Sequence, residues 1–213
     1  MNHISKGEIL TIGFMMFSIF FGAGNLIFPP ALGQAAGEHV VIAMLGFLTT
    51  GVGLPLLGII AIALQGGKYI EFIRNMTYPW MATMLLVILY LTIGPLFAMP
   101  RTGAVSFEIG IRPFLAEENL SIGQLIYTAL FFGASYYLAL NPNKLIDRVG
   151  KILTPMLLII LAVLFVKAFV TPLGTIMDAT GSYIETPFVQ GFQDGYQTMD
   201  LLASLAIGTL VVN

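Results

Sequence analysis

A succession of apolar runs, each about as long as a bilayer is thick, constrains this chain more than any other feature. A helix needs roughly 20 apolar residues to cross the hydrocarbon core. Six stretches meet or approach that length: residues 9–32, 40–64, 80–105, 120–140, 152–170 and 196–213. Only 9% of the residues are charged and 57% are hydrophobic, against about 25% charged in soluble domains. A chain so poor in charge cannot clothe itself in a solvated surface, so the lipid bilayer is its expected solvent partner. The runs predict an all-α polytopic membrane protein forming a single transmembrane domain, because helices satisfy their own backbone groups in lipid. Lys6 ahead of the first run imitates a signal peptide. Glu8 sits badly in such a segment, however, and the apolar run resumes at Leu26-Ile27-Phe28, so a permanent span is expected.

Charge sets the orientation. Lys6, Lys68, Arg74, Lys144, Arg148 and Lys151 fall on one side of the predicted spans. The opposite loops hold Glu38, Glu108, Glu117, Glu118, Asp178, Glu185 and Asp194, with Arg112 as their one clear base. Lys and Arg stay cytoplasmic, which predicts a multi-pass protein of the cytoplasmic membrane with its N-terminus inside. Residues 171–195 include Pro172, Gly174, Gly181 and Pro187. They read either as an ordered external lid or surface-lying segment, or as a simple connector.

The stretch FFGAGNLIFPP, residues 20–30, carries the most chemistry. Gly22, Gly24 and Asn25 lie mid-span, with Pro29 and Pro30 just beyond, and both residue types oppose a continuous helix. A helix broken at membrane depth must face a cavity or be buried in protein. The free N–H groups of its second half suit a carboxylate, and the free carbonyls ending its first half suit a hard cation. An amino acid and its coupling ion need both. The competing reading is helix packing, since small-xxx-small patterns are common in membranes and Gly33-xxx-Gly37 looks like one. A dinucleotide fingerprint is excluded, because Ile27 occupies the place of its third glycine.

The sixth run opens on GYQTMD, residues 195–200, which sets Thr198 and Asp200 against apolar sequence. Interrupted segments in corresponding positions of two repeats mark transporter sites. Asp200 reads either as an intramembrane functional acid or as a helix cap. Arg101, between Pro100 and Thr102, reads as an outer gate or as a side chain snorkelling to the interface. Two prolines, Pro95 and Pro100, should kink its helix. With no cysteine, two isolated histidines and no nucleophile–base arrangement, neither an enzyme nor a resident metal centre is expected. No basic stretch suggests nucleic acid.

With these residues in view, the chain resembles the branched-chain amino acid:cation symporters, the BrnQ-type carriers. The resemblance is carried by residues 20–33 (FFGAGNLIFPPALG), 94–108 (GPLFAMPRTGAVSFE), 141–155 (NPNKLIDRVGKILTP) and 195–213 (GYQTMDLLASLAIGTLVVN). It implies a LeuT-like fold of two inverted five-helix repeats. The first repeat and part of helix 6 would be present and the second repeat missing. It also implies uptake of leucine, isoleucine and valine with Na+ or H+, and no cofactor other than a sodium ion. By the same resemblance, Gly22, Ala23, Gly24 and Asn25 align with the unwound first helix of that fold, with the amides of Ala23 and Gly24 on the carboxylate, and Thr198 and Asp200, read above from the sixth run, join them as expected substrate-binding residues. Asn25 would be shared with the ion, and the carbonyls of Ser18 and Phe21 would meet a second cation. Competing readings are a carrier of different amino acid specificity, a channel, and a non-transporting membrane scaffold or fragment.

Overall fold

A computed structural model describes residues 13–14, 16–18, 20–140, 154–171 and 174–212. Every regular element among them is helical. The helices are α1 (Ala23–Ala36), α2 (Val40–Leu48), α3 (Leu54–Leu64), α4 (Tyr69–Met76), α5 (Pro79–Leu91), α6 (Ala98–Gly110), α7 (Leu120–Ala139), α8 (Thr154–Val170), α9 (Pro187–Gln197) and α10 (Asp200–Val212). Among the described residues, three runs of successive helical elements, Ala23–Leu64, Pro79–Phe114 and Glu117–Ala139, are long and apolar enough to cross a membrane. Their large apolar side chains are widely exposed, among them Leu57, Leu85, Leu125 and Leu130, and so are Phe165 and Phe169 of the shorter α8. An apolar surface this extensive is what lipid or further protein covers. Lys6, Glu8, His3 and the basic loop at 141–153, with Lys144, Arg148 and Lys151, lie outside the described residues.

The first helix is interrupted. Residue 20 is helical, Phe21 and Gly22 are not, and helix resumes at Ala23. Pro29 and Pro30 lie inside α1 without ending it. Lacking N–H groups, they leave the carbonyls of Asn25 and Leu26 without their regular helical donors. α1 continues to Ala36, four residues past the apolar run, and turns at Gly37 (φ 48°, ψ −121°). A Cβ at Gly37 would also stand 2.0 Å from the Met177 carbonyl oxygen, so glycine is required there twice over. Among the described residues a Cβ on Gly33 would meet nothing within 4 Å, so Gly33 of the Gly33-xxx-Gly37 pattern makes no close contact there.

The chain forms two compact units. One comprises Phe20–Ala98 and Ile176–Asn213. In it α2 and α3 are joined by a wide π-turn, Thr49–Gly53, and α9 packs along α2 while α10 packs along α3. Glycines set the first contact. A Cβ on Gly191 would stand 1.9 Å from the Ala43 carbonyl oxygen, one on Gly46 2.1 Å from that of Phe188, and one on Gly195 2.4 Å from that of Phe47. The Thr50 hydroxyl donates to the Phe192 carbonyl at 2.7 Å across the same seam. Gly58 then faces Ser204, and Ile62 faces Gly208. Both partners ascend in number together, so the two helical pairs run in the same direction. Leu32, Ala36, Ala43, Phe47 and Tyr183 form the buried core beside them.

The sixth helix therefore differs from its apolar run. It begins at Pro187 rather than near Tyr196 and breaks at Thr198–Met199 before continuing as α10. The last nine residues of the supposed external segment 171–195 belong to this first half-helix. The sequence conceals it because Gln190, Gln193 and Asp194 lower its hydropathy, while the seam it makes uses glycines instead of large apolar side chains. The preceding residues are pinned to α1, where the backbone N–H and hydroxyl of Thr180 both donate to the Ala35 carbonyl, at 2.8 and 3.1 Å.

The other unit comprises the described residues within Met1–Ile19 and Met99–Thr175. Phe107, 1% exposed, anchors α6, with its ring centroid 5.7 Å from that of Tyr127 on α7. The third apolar run is in two pieces. Gly94 leaves helical geometry (ψ −118°) within the turn Thr92–Leu96. Pro100 sits in the first turn of α6, where its missing N–H costs little. Of the two prolines, Pro95 alone accompanies the kink.

Candidate functional site

Two helix breaks in the first unit meet through a side-chain hydrogen bond. α1 begins after Gly22, whose extended backbone supplies no side-chain cap. The first-turn amides of Ala23, Gly24 and Asn25 therefore have no acceptor within the helix, and they carry the positive end of its dipole. Gly24 is buried and Gly22 exposed. Among the described residues a Cβ on Gly22 would meet nothing within 4 Å.

Asn25 links the parts. Its Nδ2 donates to the Phe20 carbonyl at 3.1 Å and to Asp200 Oδ2 at 2.8 Å. The first of these bonds satisfies a carbonyl left at the end of the preceding half-helix. Because Nδ2 faces two acceptors, the reversed amide would oppose oxygen to oxygen, and the orientation is fixed. Asn25 Oδ1 is then buried with no hydrogen-bond partner among the described residues. Asp200, 6% exposed, starts α10, where a carboxylate also suits the helix dipole.

Thr198 and Met199 make the second break. The Thr198 hydroxyl donates to the Gly195 carbonyl at 2.8 Å, at the end of α9. Met199 has φ 65°, the single positive value outside glycine among the described residues. An unbranched side chain in that region is uncommon and carries strain of order 1 kcal/mol or more. The first-turn amides of α1 are thus adjacent in sequence to Asn25, whose bond to Asp200 gathers two acceptors, the Asp200 carboxylate and Asn25 Oδ1. Donors suit an anion, and buried acceptors suit a cation or a proton.

Of the other residues singled out in the sequence, Phe21 lies in the non-helical break. Ser18 belongs to the second unit, where its hydroxyl donates to the Phe14 carbonyl at 2.9 Å and shares a short hydrogen bond with the hydroxyl of Thr154, itself 2% exposed. Arg101 also belongs to that unit, half-buried in the first turn of α6.

Sequence reasoning missed Met199 and the cluster around Asp194. Tyr183 Oη donates a short hydrogen bond to Asp194 Oδ2, and Gln190 Nε2 donates to Oδ1 at 3.1 Å. Burial, and then the Asp194 bond, push the Tyr183 phenol far above its ordinary value of 10.0. The unfolded chain therefore loses this proton first as pH rises. The stability it contributes is complete below pH 10 and falls above it. Thermal unfolding followed from neutrality to about pH 11 is expected to show that fall, and Tyr183→Phe to flatten it. The Phe variant also loses roughly 1–3 kcal/mol at neutral pH with the bond to a charged partner. An unchanged alkaline slope in the variant would assign the fall to other groups.

The sequence profile described as branched-chain amino acid transport protein matches residues 5–213. The chain belongs to that family. Among curated relatives of this transport family, the branched-chain amino acid permease BraB of Bacillus subtilis is 55% identical over 206 residues, covering 97% of this chain and 46% of the relative. The permease BrnQ of the same organism is 47% identical, covering 99% and 48%. The branched-chain amino acid transport system 2 carrier protein of Pseudomonas aeruginosa is also 47% identical, covering 99% and 48%. This family member thus spans about half the length of the curated relatives it matches. Those relatives are permeases and carriers, not enzymes. No solved structure matches the chain.

Proposed function

We propose that the chain is part of a secondary active transporter that imports leucine, isoleucine and valine with Na+ or H+ across the cytoplasmic membrane. The observation that carries the reading is the Asn25–Asp200 hydrogen bond, which joins the breaks of the first and sixth helices. In this reading the amides of Ala23 and Gly24 take the substrate carboxylate, with exposed Gly22 leaving the approach open. The Asp200 carboxylate and Asn25 Oδ1 take the coupling cation or proton, and Thr198 holds the second break in shape. A LeuT-like repeat accounts for two broken helices five apart. The parallel course of the second and sixth helices also agrees with it, since three crossings lie between them and an odd number restores the direction. The N-terminus is inside, following the Lys and Arg asymmetry. The carbonyls of Ser18 and Phe21, and the gate at Arg101, rest on resemblance and placement alone.

Counterflow tests the proposal in proteoliposomes holding a protein that carries this sequence at the length of its relatives. Labelled leucine is expected to accumulate against unlabelled leucine, isoleucine or valine inside, and not against lysine. Net uptake is expected to follow an imposed sodium or proton gradient. Counterflow with lysine as readily as with leucine would overturn the specificity, and uptake indifferent to both gradients would overturn the coupling.

A further inference from the structure

We propose that the end of the unit opposite the α2–α9 seam, around α4, holds a binding site for an anionic phospholipid. The inference does not depend on the transport reading. A cavity of about 540 Å³ lies among α3, α4, α5 and α10, lined by Ile62, Tyr69, Phe72, Ile73, Leu86 and Leu205 among others. That volume falls within the roughly 300–1,000 Å³ of small-molecule sites, and the lining is almost wholly apolar.

Gln65 and Tyr69 are its polar side chains, Gln65 exposed and Tyr69 buried. Tyr69 is 6% exposed, and its hydroxyl is buried without a hydrogen-bond partner. A buried hydroxyl left unpaired costs roughly 1–3 kcal/mol, so the fold alone gives no reason for it. Burial, and then Tyr90, hold its pKa above 10.0, so it stays a donor. Tyr90 does not relieve it: the Tyr90 hydroxyl donates to the Ala206 carbonyl at 3.1 Å, and no described group accepts from Tyr69.

The surroundings identify the occupant. α4 is a short amphipathic helix whose apolar face, Tyr69, Phe72 and Ile73, lines the cavity. Lys68 precedes it and Arg74 lies in its last turn, both exposed and in no ion pair among the described residues. Glu71 is the one acid between them, leaving the segment with a net positive charge. Tyr78 and Trp80, 72% and 66% exposed, follow at once, and such aromatic rings settle at headgroup level. An acyl chain fills the cavity, an ester carbonyl accepts from Tyr69, and Lys68 and Arg74 meet the headgroup phosphate. Basic residues beside a membrane contribute about 1 kcal/mol each toward anionic lipid.

Native mass spectrometry of the purified protein, titrated with dioleoyl phosphatidylglycerol or dioleoyl phosphatidylcholine, tests the site. Phosphatidylglycerol is expected to be retained at roughly five- to twentyfold lower concentration. Tyr69→Phe is expected to weaken that retention about fivefold without lowering the melting temperature, since it deletes an unpaired hydroxyl. Replacing Lys68 and Arg74 together by Gln is expected to remove the preference between lipids. Ala61→Phe, which narrows the cavity from its rim, is expected to reduce retention of both. Equal retention of the two lipids by the unaltered protein would overturn the proposal. So would a Tyr69→Phe protein that binds phosphatidylglycerol as the parent does, or an Ala61→Phe protein with undiminished lipid.

Discussion

Gly191→Leu is expected to leave no folded protein to purify. At this position a Cβ would stand 1.9 Å from the Ala43 carbonyl oxygen and 2.7 Å from its carbonyl carbon. The obstructing atoms are backbone and cannot rotate away, so α9 must lift off α2. Lifting it would lengthen the Thr50–Phe192 hydrogen bond and open the contacts of Gly46 and Gly195 together. Overpacking of this kind costs about 3 kcal/mol or more, a large part of a protein's net stability. Gly33→Ala is the control. It adds a methyl group in open space within α1 and is expected to be neutral or stabilising by up to about 1 kcal/mol, from helix propensity. Fluorescence-detected size exclusion and thermal unfolding read both variants. A monodisperse Gly191→Leu protein melting within a few degrees of the parent would mean that α9 does not pack as described.

Asp200→Asn is expected to remove the dependence of leucine binding on the coupling ion while sparing the fold. The substituted amide keeps an oxygen that can accept from Asn25 Nδ2, so the link between the two breaks survives. What disappears is the negative charge beside the unpaired Asn25 Oδ1. Interactions with a charged group are worth about 1.5–3 kcal/mol each, so ion affinity should drop roughly 10- to 100-fold. The measurements are scintillation proximity binding of leucine over a sodium and a pH series, together with gradient-driven uptake by the protein at the length of its relatives. Asn25→Leu should behave differently, because it leaves the Phe20 carbonyl and the Asp200 carboxylate without their shared donor and lowers the melting temperature as well. Should Asp200→Asn concentrate leucine with unchanged ion dependence, the residue is a cap of α10 and nothing more.

The contrast between α7 and α9 explains what the sequence disclosed. α7 is apolar along its length, and its bounds lie within a residue of the run 120–140. α9 was hidden because its partner is a helix backbone approached through Gly191 and Gly195, and hydropathy does not register small residues. Asn25 and Asp200 each stood out as polar groups in apolar sequence. Their bond spans 175 positions, and nothing local to either residue announces it. The interruption within residues 20–25 was visible in its glycines. That the helix tolerates Pro29 and Pro30 was not, because proline's cost depends on whether the freed carbonyls find other donors. Met199 left no trace, since methionine has no leaning toward left-handed backbone.

The glycine seam also bears on how such a chain is made. A helix entering a membrane from the biosynthetic machinery is judged largely by its own hydrophobicity, and α9 carries Gln190, Gln193, Asp194 and Gln197 within eleven residues. Taken alone it would be released to the aqueous side. α2 is synthesised more than a hundred residues earlier and offers a surface shaped for it, with Ala43, Gly46, Phe47 and Thr50 already in place. The order of synthesis thus supplies a template before the segment that needs one, and α9, the first half of the sixth helix, is expected to be recruited by its neighbour, not by lipid.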